Sequence, residues 1–275
     1  MKWFEIKNKA DKAEIWIYEM IGEDFWSGGG TTAKDFQKEL SEIKASQIDL
    51  HINSPGGDVF DGITIYNLIK QHSANVTTYI DGLAASIASV IALAGDEIFM
   101  AENALMMIHN PYGMAMGDAA EMRKTADLLD VVRDSISKAY ISKTEQPEPD
   151  IFALMDAETW MTADDAAELG FIDDVTEKMD MAACAKFVPI MSKAGFKHVP
   201  TFAAKDAEKA LRDAGFSRKE AKKILSKGLS EGLRDADVED EVQAPEPLRD
   251  AEPAPKKDRV ADLLTRAEIA APSTI

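Results

Sequence analysis

The stretch "QIDLHINSPGGDVFDGITIYNLIKQHSANVTTYIDGLAASIASVIALA", residues 47–94, changes its periodicity several times. "QIDLHINS" alternates apolar and polar residues as a strand does. "PGG" interrupts it, and "DVFDGITIYNLIKQH" then spaces its apolar residues as a helix does. "NVTTYIDG" returns to strand character, and "AASIASVIALAG" reads as a second helix. Strand, turn and helix therefore follow one another twice within this one stretch.

The same rhythm extends outward. Upstream, "KWFEIKN" (2–8) and "AEIWIYEM" (13–20) read as a hairpin across "KADK". "SGGGTT" then breaks the chain, and Thr31 or Thr32 can cap a helix over "AKDFQKELSEI". Downstream, "DEIFM" and "ALMMIH" are strands, and an amphipathic helix runs from about Asp118 to Lys143 before "EQPEPD" interrupts it. "TADDAAELGFIDDV" (162–175) is a short capped helix leading into a strand. This recurrence predicts an α/β fold with layered sheets.

Composition bounds the function. The 275 residues carry a net charge of −18. Residues 1–180 hold 14 Lys/Arg against 33 Asp/Glu, or −19, and the other 95 hold 17 against 16, or +1. So acidic a body argues against nucleic-acid binding. "MKWFEIKNKADK" does not read as a secretory signal, and the apolar window from Leu83 to Ala94 is too short to span a bilayer. The lone Cys184 offers no internal disulfide and no metal cluster, in keeping with a reducing interior. The expectation is a cytoplasmic protein that binds neither membrane nor metal.

Beyond residue 180 the character changes. "AAKDAEKALRDAGFSRKEAKKILSKGL" (203–229) reads as two basic helices broken at Gly215. "EDEVQAPEPLRDAEPAPKKD" is an acidic, Pro-rich linker, and "RVADLLTRAEIA" a short terminal helix. The expected division is a domain over 1–179 and an extension over 180–275, with a helical pair at 203–234 and a linker at 235–258.

Ser86 falls where a strand yields to a helix, so its hydroxyl lies near the positive helix end and the next amide can face an oxyanion. The setting is that of a nucleophile elbow, although G-x-S-x-G is absent. Ser89 is the control one turn on. His109 ends "ALMMIH", where catalytic groups of α/β proteins collect, whereas His51 lies within a strand, His72 at a helix end and His198 in the tail. Gly56 and Gly57 present backbone amides free of side chains.

In order, "INSPGG", "GLAAS", "MIHNP" and "ETWMTADDAAELGFID" resemble the signature of the Clp-type serine peptidases (ClpP-like) over about residues 15–178. The 29-residue step from Gly57 to Ser86 and the 49-residue step from His109 to Glu158 fit that family without a gap. The resemblance implies the ClpP/crotonase-like fold of repeated ββα units. It also implies Ser86 as nucleophile, His109 as general base and Gly57 with Ile87 as oxyanion hole. Gly56, Gly57 and Pro111 would bind substrate, and no cofactor is implied. The family's usual acid is an aspartate; here Glu158 matches that place, and Asp156 would point the same way if the segment were extended.

Housekeeping members end soon after the last strand, and the long extension instead resembles the head maturation (prohead) proteases of tailed phages. That implies a homo-oligomeric ring with contacts through helix 118–143. The substrates would be capsid and scaffold proteins, met in the host cytoplasm or inside proheads. The alternatives are a housekeeping subunit served by an ATPase unfoldase, an acyl-CoA enzyme of the crotonase type, and a catalytically silent scaffold module.

Overall fold

The computed structural model describes residues 2–9, 11–24, 29–177, 187, 191, 196, 197, 199, 260, 261 and 263–265. The expected helical pair at 203–234 and linker at 235–258 lie outside them, as does Cys184.

Strands β1 (Phe4–Asn8) and β2 (Lys12–Ile17) form the expected antiparallel hairpin. The short β3 (Glu23–Asp24) and β4 (Gly29–Gly30) pair with each other, and α1 (Ala33–Leu40) follows. Thr32 caps α1: its hydroxyl accepts from the Asp35 N–H, and the Asp35 carboxylate accepts from the Thr32 N–H. Next come β5 (Gln47–Ser54), α2 (Val59–Lys70), β6 (Asn75–Ala85), α3 (Ile87–Ala92), β7 (Glu97–Ala101) and β8 (Leu105–Ile108). The chain continues through α4 (Ala119–Thr144), α5 (Glu148–Asp156), β9 (Thr159–Met161), α6 (Ala163–Glu168) and β10 (Asp174–Thr176).

The main sheet runs β1-β2-β5-β6-β7-β10, parallel except for the first pair. Ile15, Leu50, Ile80 and Met100, from four adjacent strands, are buried in one core with α1 and α2. Val260 and Leu263, both helical, are buried in that cluster too.

Strand β6 is long because, with β5 on one edge, it serves two neighbours in turn on the other. Thr77 to Ile80 pair with β7, whereas Leu83, Ala84 and Ala85 pair with Leu105, Met106 and Met107 of β8. Ala84 and Ala85 are therefore strand, not helix, and α3 begins only at Ile87. Alanine's helix preference is a weak prior, and the ladder to β8 overrides it.

At "EQPEPD" the expected interruption is present, and a helix that the sequence did not announce follows it. Glu145 takes a left-handed φ of 56° and ends α4, and Pro147 then opens α5. The interruption is a corner between helices, since proline is tolerated in a first turn, where no N–H partner is needed. Both α5 and the three-residue β9 lack a sequence periodicity long enough to announce them.

Among the described residues no helix is long and apolar enough to cross a membrane, and no His/Cys/Asp/Glu cluster is suited to a metal ion.

Candidate active site

Three strand ends meet at one edge of the fold. Ser86 follows β6 directly, His109 follows β8, and Glu158 precedes β9. Strand β8 pairs with both neighbours, Ala85 facing Met107 and Ile108 facing Thr159. Continuing the second register by one step sets His109 opposite Glu158. Residues 23 and 49 positions apart in sequence are thus brought together by one three-stranded arrangement.

Ser86 has φ 56° and ψ −131°, a left-handed backbone that costs a non-glycine residue about 1–3 kcal/mol. The surroundings enforce it. Its N–H donates to the Met107 carbonyl at 2.9 Å. The Ser89 hydroxyl donates to the Ser86 carbonyl at 2.6 Å and shares a 2.8 Å hydrogen bond with the buried Tyr140 hydroxyl. A strained serine between strand and helix is the backbone of a nucleophile elbow, reached here without the usual glycines. The control residue has a role of its own: Ser89 pins the turn.

The Ser86 Oγ lies 2.8 Å from His109 Nε2, within reach for proton transfer. Burial pushes the imidazole down to about 4; the charge of Glu158 opposes that shift and Lys197 reinforces it. The ring is therefore neutral near pH 7, as a base must be. Glu158 is buried, has φ 49°, and accepts the Lys197 backbone N–H at 2.7 Å. Asp156 is the last residue of α5, exposed, and accepts from Asn110 Nδ2 at 2.7 Å. The segment holding both acids is a helix end rather than extended, so they do not point the same way.

Across from Ser86, the "PGG" turn is fastened to Ile21. The Ile21 N–H donates to Gly56 O at 2.8 Å, and the Asp58 N–H donates to Ile21 O at 2.9 Å. Those bonds use the groups flanking the Gly57 N–H, which is left outside the bridge. Gly57 has φ 150°, and a Cβ there would come within 2.0 Å of the Ile21 carbonyl oxygen. At Gly56 a Cβ would lie 2.7 Å from the Ser86 Cβ. Gly57→Ala must therefore push the turn away from Ile21. If Gly57 supplies an oxyanion donor, as the resemblance implies, a drop of about 10²–10³ in kcat is expected, the cost of misplacing that donor. Peptide-hydrolysis kinetics beside thermal melting would separate this from unfolding, and unchanged kcat would contradict it.

A cleft of about 420 Å³ opens at the serine, bounded by Gly57, Ile87, His109, Pro111 and Tyr112 and walled by α4. Of the expected substrate-binding residues, Gly57 and Pro111 border it, while Gly56 sits behind Ser86. His51 is elsewhere: on β5 its Nδ1 meets Asp81 at 2.8 Å, and Tyr18 donates to the same carboxylate. Three contributors have no sequence signal. Tyr112 sets its ring edge-on to His109 at 5.7 Å, Phe196 stacks on that imidazole at 5.0 Å, and Lys197 holds Glu158. Phe196 and Lys197 come from the extension, and no local pattern ties them to a site so far back in the chain.

Known proteins carry the same arrangement of sequence. A Clp protease family model matches residues 31–179. The ATP-dependent Clp protease proteolytic subunit of Bacteroides thetaiotaomicron is 33% identical over 153 residues, which cover 54% of this chain and 70% of that one. A ClpP1 point mutant from Listeria monocytogenes superposes with a TM-score of 0.52 at 26% identity, covering 61% of this chain and 93% of its own.

Proposed function

Because the chain belongs to the Clp protease family, a family of serine peptidases that assemble as homo-oligomeric rings, we propose that it is a serine endopeptidase acting through Ser86, His109 and Glu158. One observation carries the reading: a strained serine whose Oγ lies 2.8 Å from a neutral, buried imidazole.

In the proposed reaction His109 Nε2 takes the Ser86 proton as Oγ bonds to the peptide carbonyl carbon. The oxyanion rests on the Gly57 and Ile87 amides. Imidazolium then returns the proton to the leaving amine, the C–N bond breaks, and an acyl-enzyme remains. Water, deprotonated by His109, bonds to the acyl carbon; the ester bond to Oγ then breaks, and the imidazolium returns the proton to Oγ as the second product leaves. Glu158 keeps Nδ1 protonated and stabilises the imidazolium.

The physiological setting in this proposal is head maturation of a tailed phage, with capsid and scaffold proteins as substrates. The support is the extension over residues 180–275, beyond the family match, which includes a stretch whose composition is Pro-rich and acidic. A family core ending near 179, before the extension, belongs to the same proposal, as does ring contact through α4, where Leu128 and Val131 are exposed. A second reading has its own support, since the Bacteroides relative is the proteolytic subunit of an ATP-dependent protease. The two readings differ in one experiment. Full-length protein without ATP is expected to cut its own chain within 235–258 and to cut a phage capsid precursor. A subunit of an ATP-dependent protease leaves both intact until an unfoldase and ATP are added.

A further inference from the structure

Of the described residues past the family match, those between 187 and 199 gather on the back of the active site, whereas Val260 and Leu263 join the main core. Phe187 and Met191 are buried, and with Phe196 and Val199 they pack against Leu83 and Ala85 of β6, Leu105 and Met107 of β8, and Trp160 of β9. Their sequence neighbours Ala84, Met106, Ile108 and Met161 belong to the main core instead. Side chains alternate across a sheet, so this three-stranded segment has one face on the core and the other beneath the extension. These are the strands whose ends hold Ser86, His109 and Glu158.

From that apolar anchorage the extension reaches two of the three groups. The Phe196 ring lies 5.0 Å from the His109 imidazole at 27°, and its own N–H donates to the Met191 carbonyl at 3.2 Å. The Lys197 N–H donates to Glu158 Oε1 at 2.7 Å, a charge-assisted bond to a buried carboxylate. Neither residue lines the cleft in front of Ser86, and the Ser86–His109 hydrogen bond is intact. An inhibitory strap would fill that cleft or take the serine's partner; among the described residues of the extension none does either.

We propose that the extension supplies positioning residues to the peptidase: Phe196 backs the His109 ring, the Lys197 backbone N–H fixes the Glu158 carboxylate, and the catalytic unit runs to Val199. This rests on the peptidase reading of Ser86. The titratable groups facing His109 are Ser86 from the β6 end, Glu158 from before β9, Tyr112 from its own loop and Lys197 from the extension. Burial under Phe196 keeps water from the ring, so uncovering it returns the imidazole toward its ordinary value near 6.5.

The test uses the full chain with Phe196→Ala, Phe196→Tyr, Lys197→Ala and Lys197→Pro. Two quantities are read: the rate of Ser86 labelling by a fluorophosphonate against pH, and the His109 titration by NMR, with His51, His72 and His198 as internal references. Phe196→Ala is expected to raise the acid limb and the His109 titration together from about pH 4 toward 6.5, and Phe196→Tyr to restore both. Lys197→Pro, which removes the N–H, is expected to label about 10- to 100-fold more slowly than Lys197→Ala, which keeps it. Equal rates and an unmoved titration would overturn the proposal, as would faster labelling of Phe196→Ala, the mark of an occluding contact. If wild type titrates as expected but never labels, the peptidase reading fails, and the catalytic role of these contacts fails with it.

Discussion

Ser86→Ala is expected to lower kcat/KM for a peptide substrate by about 10⁶-fold, leaving only what binding and the oxyanion donors give. The size follows from loss of the covalent step: no other hydroxyl of the site lies within hydrogen-bond distance of His109 Nε2 in the described structure. His109→Ala should cost about as much, and the double variant little more, because nucleophile and base act as one unit. Ser89→Ala provides the contrast. It keeps Ser86 and its base but removes the partner of the buried Tyr140 hydroxyl, a cost of about 1–3 kcal/mol in folding. A lower melting temperature, with turnover reduced far less than in Ser86→Ala because the Ser86 N–H bond to Met107 still holds the turn, is the expected result. Loss of turnover in Ser89→Ala with survival in Ser86→Ala would reverse the assignment.

Glu158→Gln is expected to cost about 10⁴-fold in kcat, the scale seen when a triad acid loses its charge but keeps its shape. The electrostatics give the sign. Burial already holds the His109 imidazole near 4, and the Glu158 charge is the force raising it. Without that charge the imidazolium formed during acyl transfer becomes still harder to make. The amide can also turn its NH₂ toward the ring and select the wrong tautomer. Asp156→Asn is expected to stay within a few-fold of wild type, because that carboxylate is exposed and bonded to Asn110. Steady-state kinetics on both variants check this; equal losses would mean that the acid function is shared between them.

Sequence periodicity carries most of the fold. Strand β5, helix α2 and the long α4 stand where alternation and helical spacing place them, because each buries one face against a common core. It fails where local preference is weakest. "GLAA" has no periodicity of its own, and pairing with β8, together with that of Ala84 with Ser54 of β5, makes it strand. The same pairing builds the elbow, so its left-handed serine is invisible to a motif that expects glycines. At "MDAETW" the residue types permit two acids, and a helix ending at Asp156 separates them. Composition also marks the residues past 179 as an appendage. Phe196 and Lys197 reach His109 and Glu158 through tertiary packing alone, which leaves no trace in spacing.

The most direct test of the account is fluorophosphonate labelling of the full-length protein across its size-fractionated oligomers, with the modified residue located by peptide mass spectrometry. The account predicts one adduct, on Ser86, forming faster above pH 4 as His109 loses its proton. An adduct on another residue, or none in any oligomeric fraction, would contradict it.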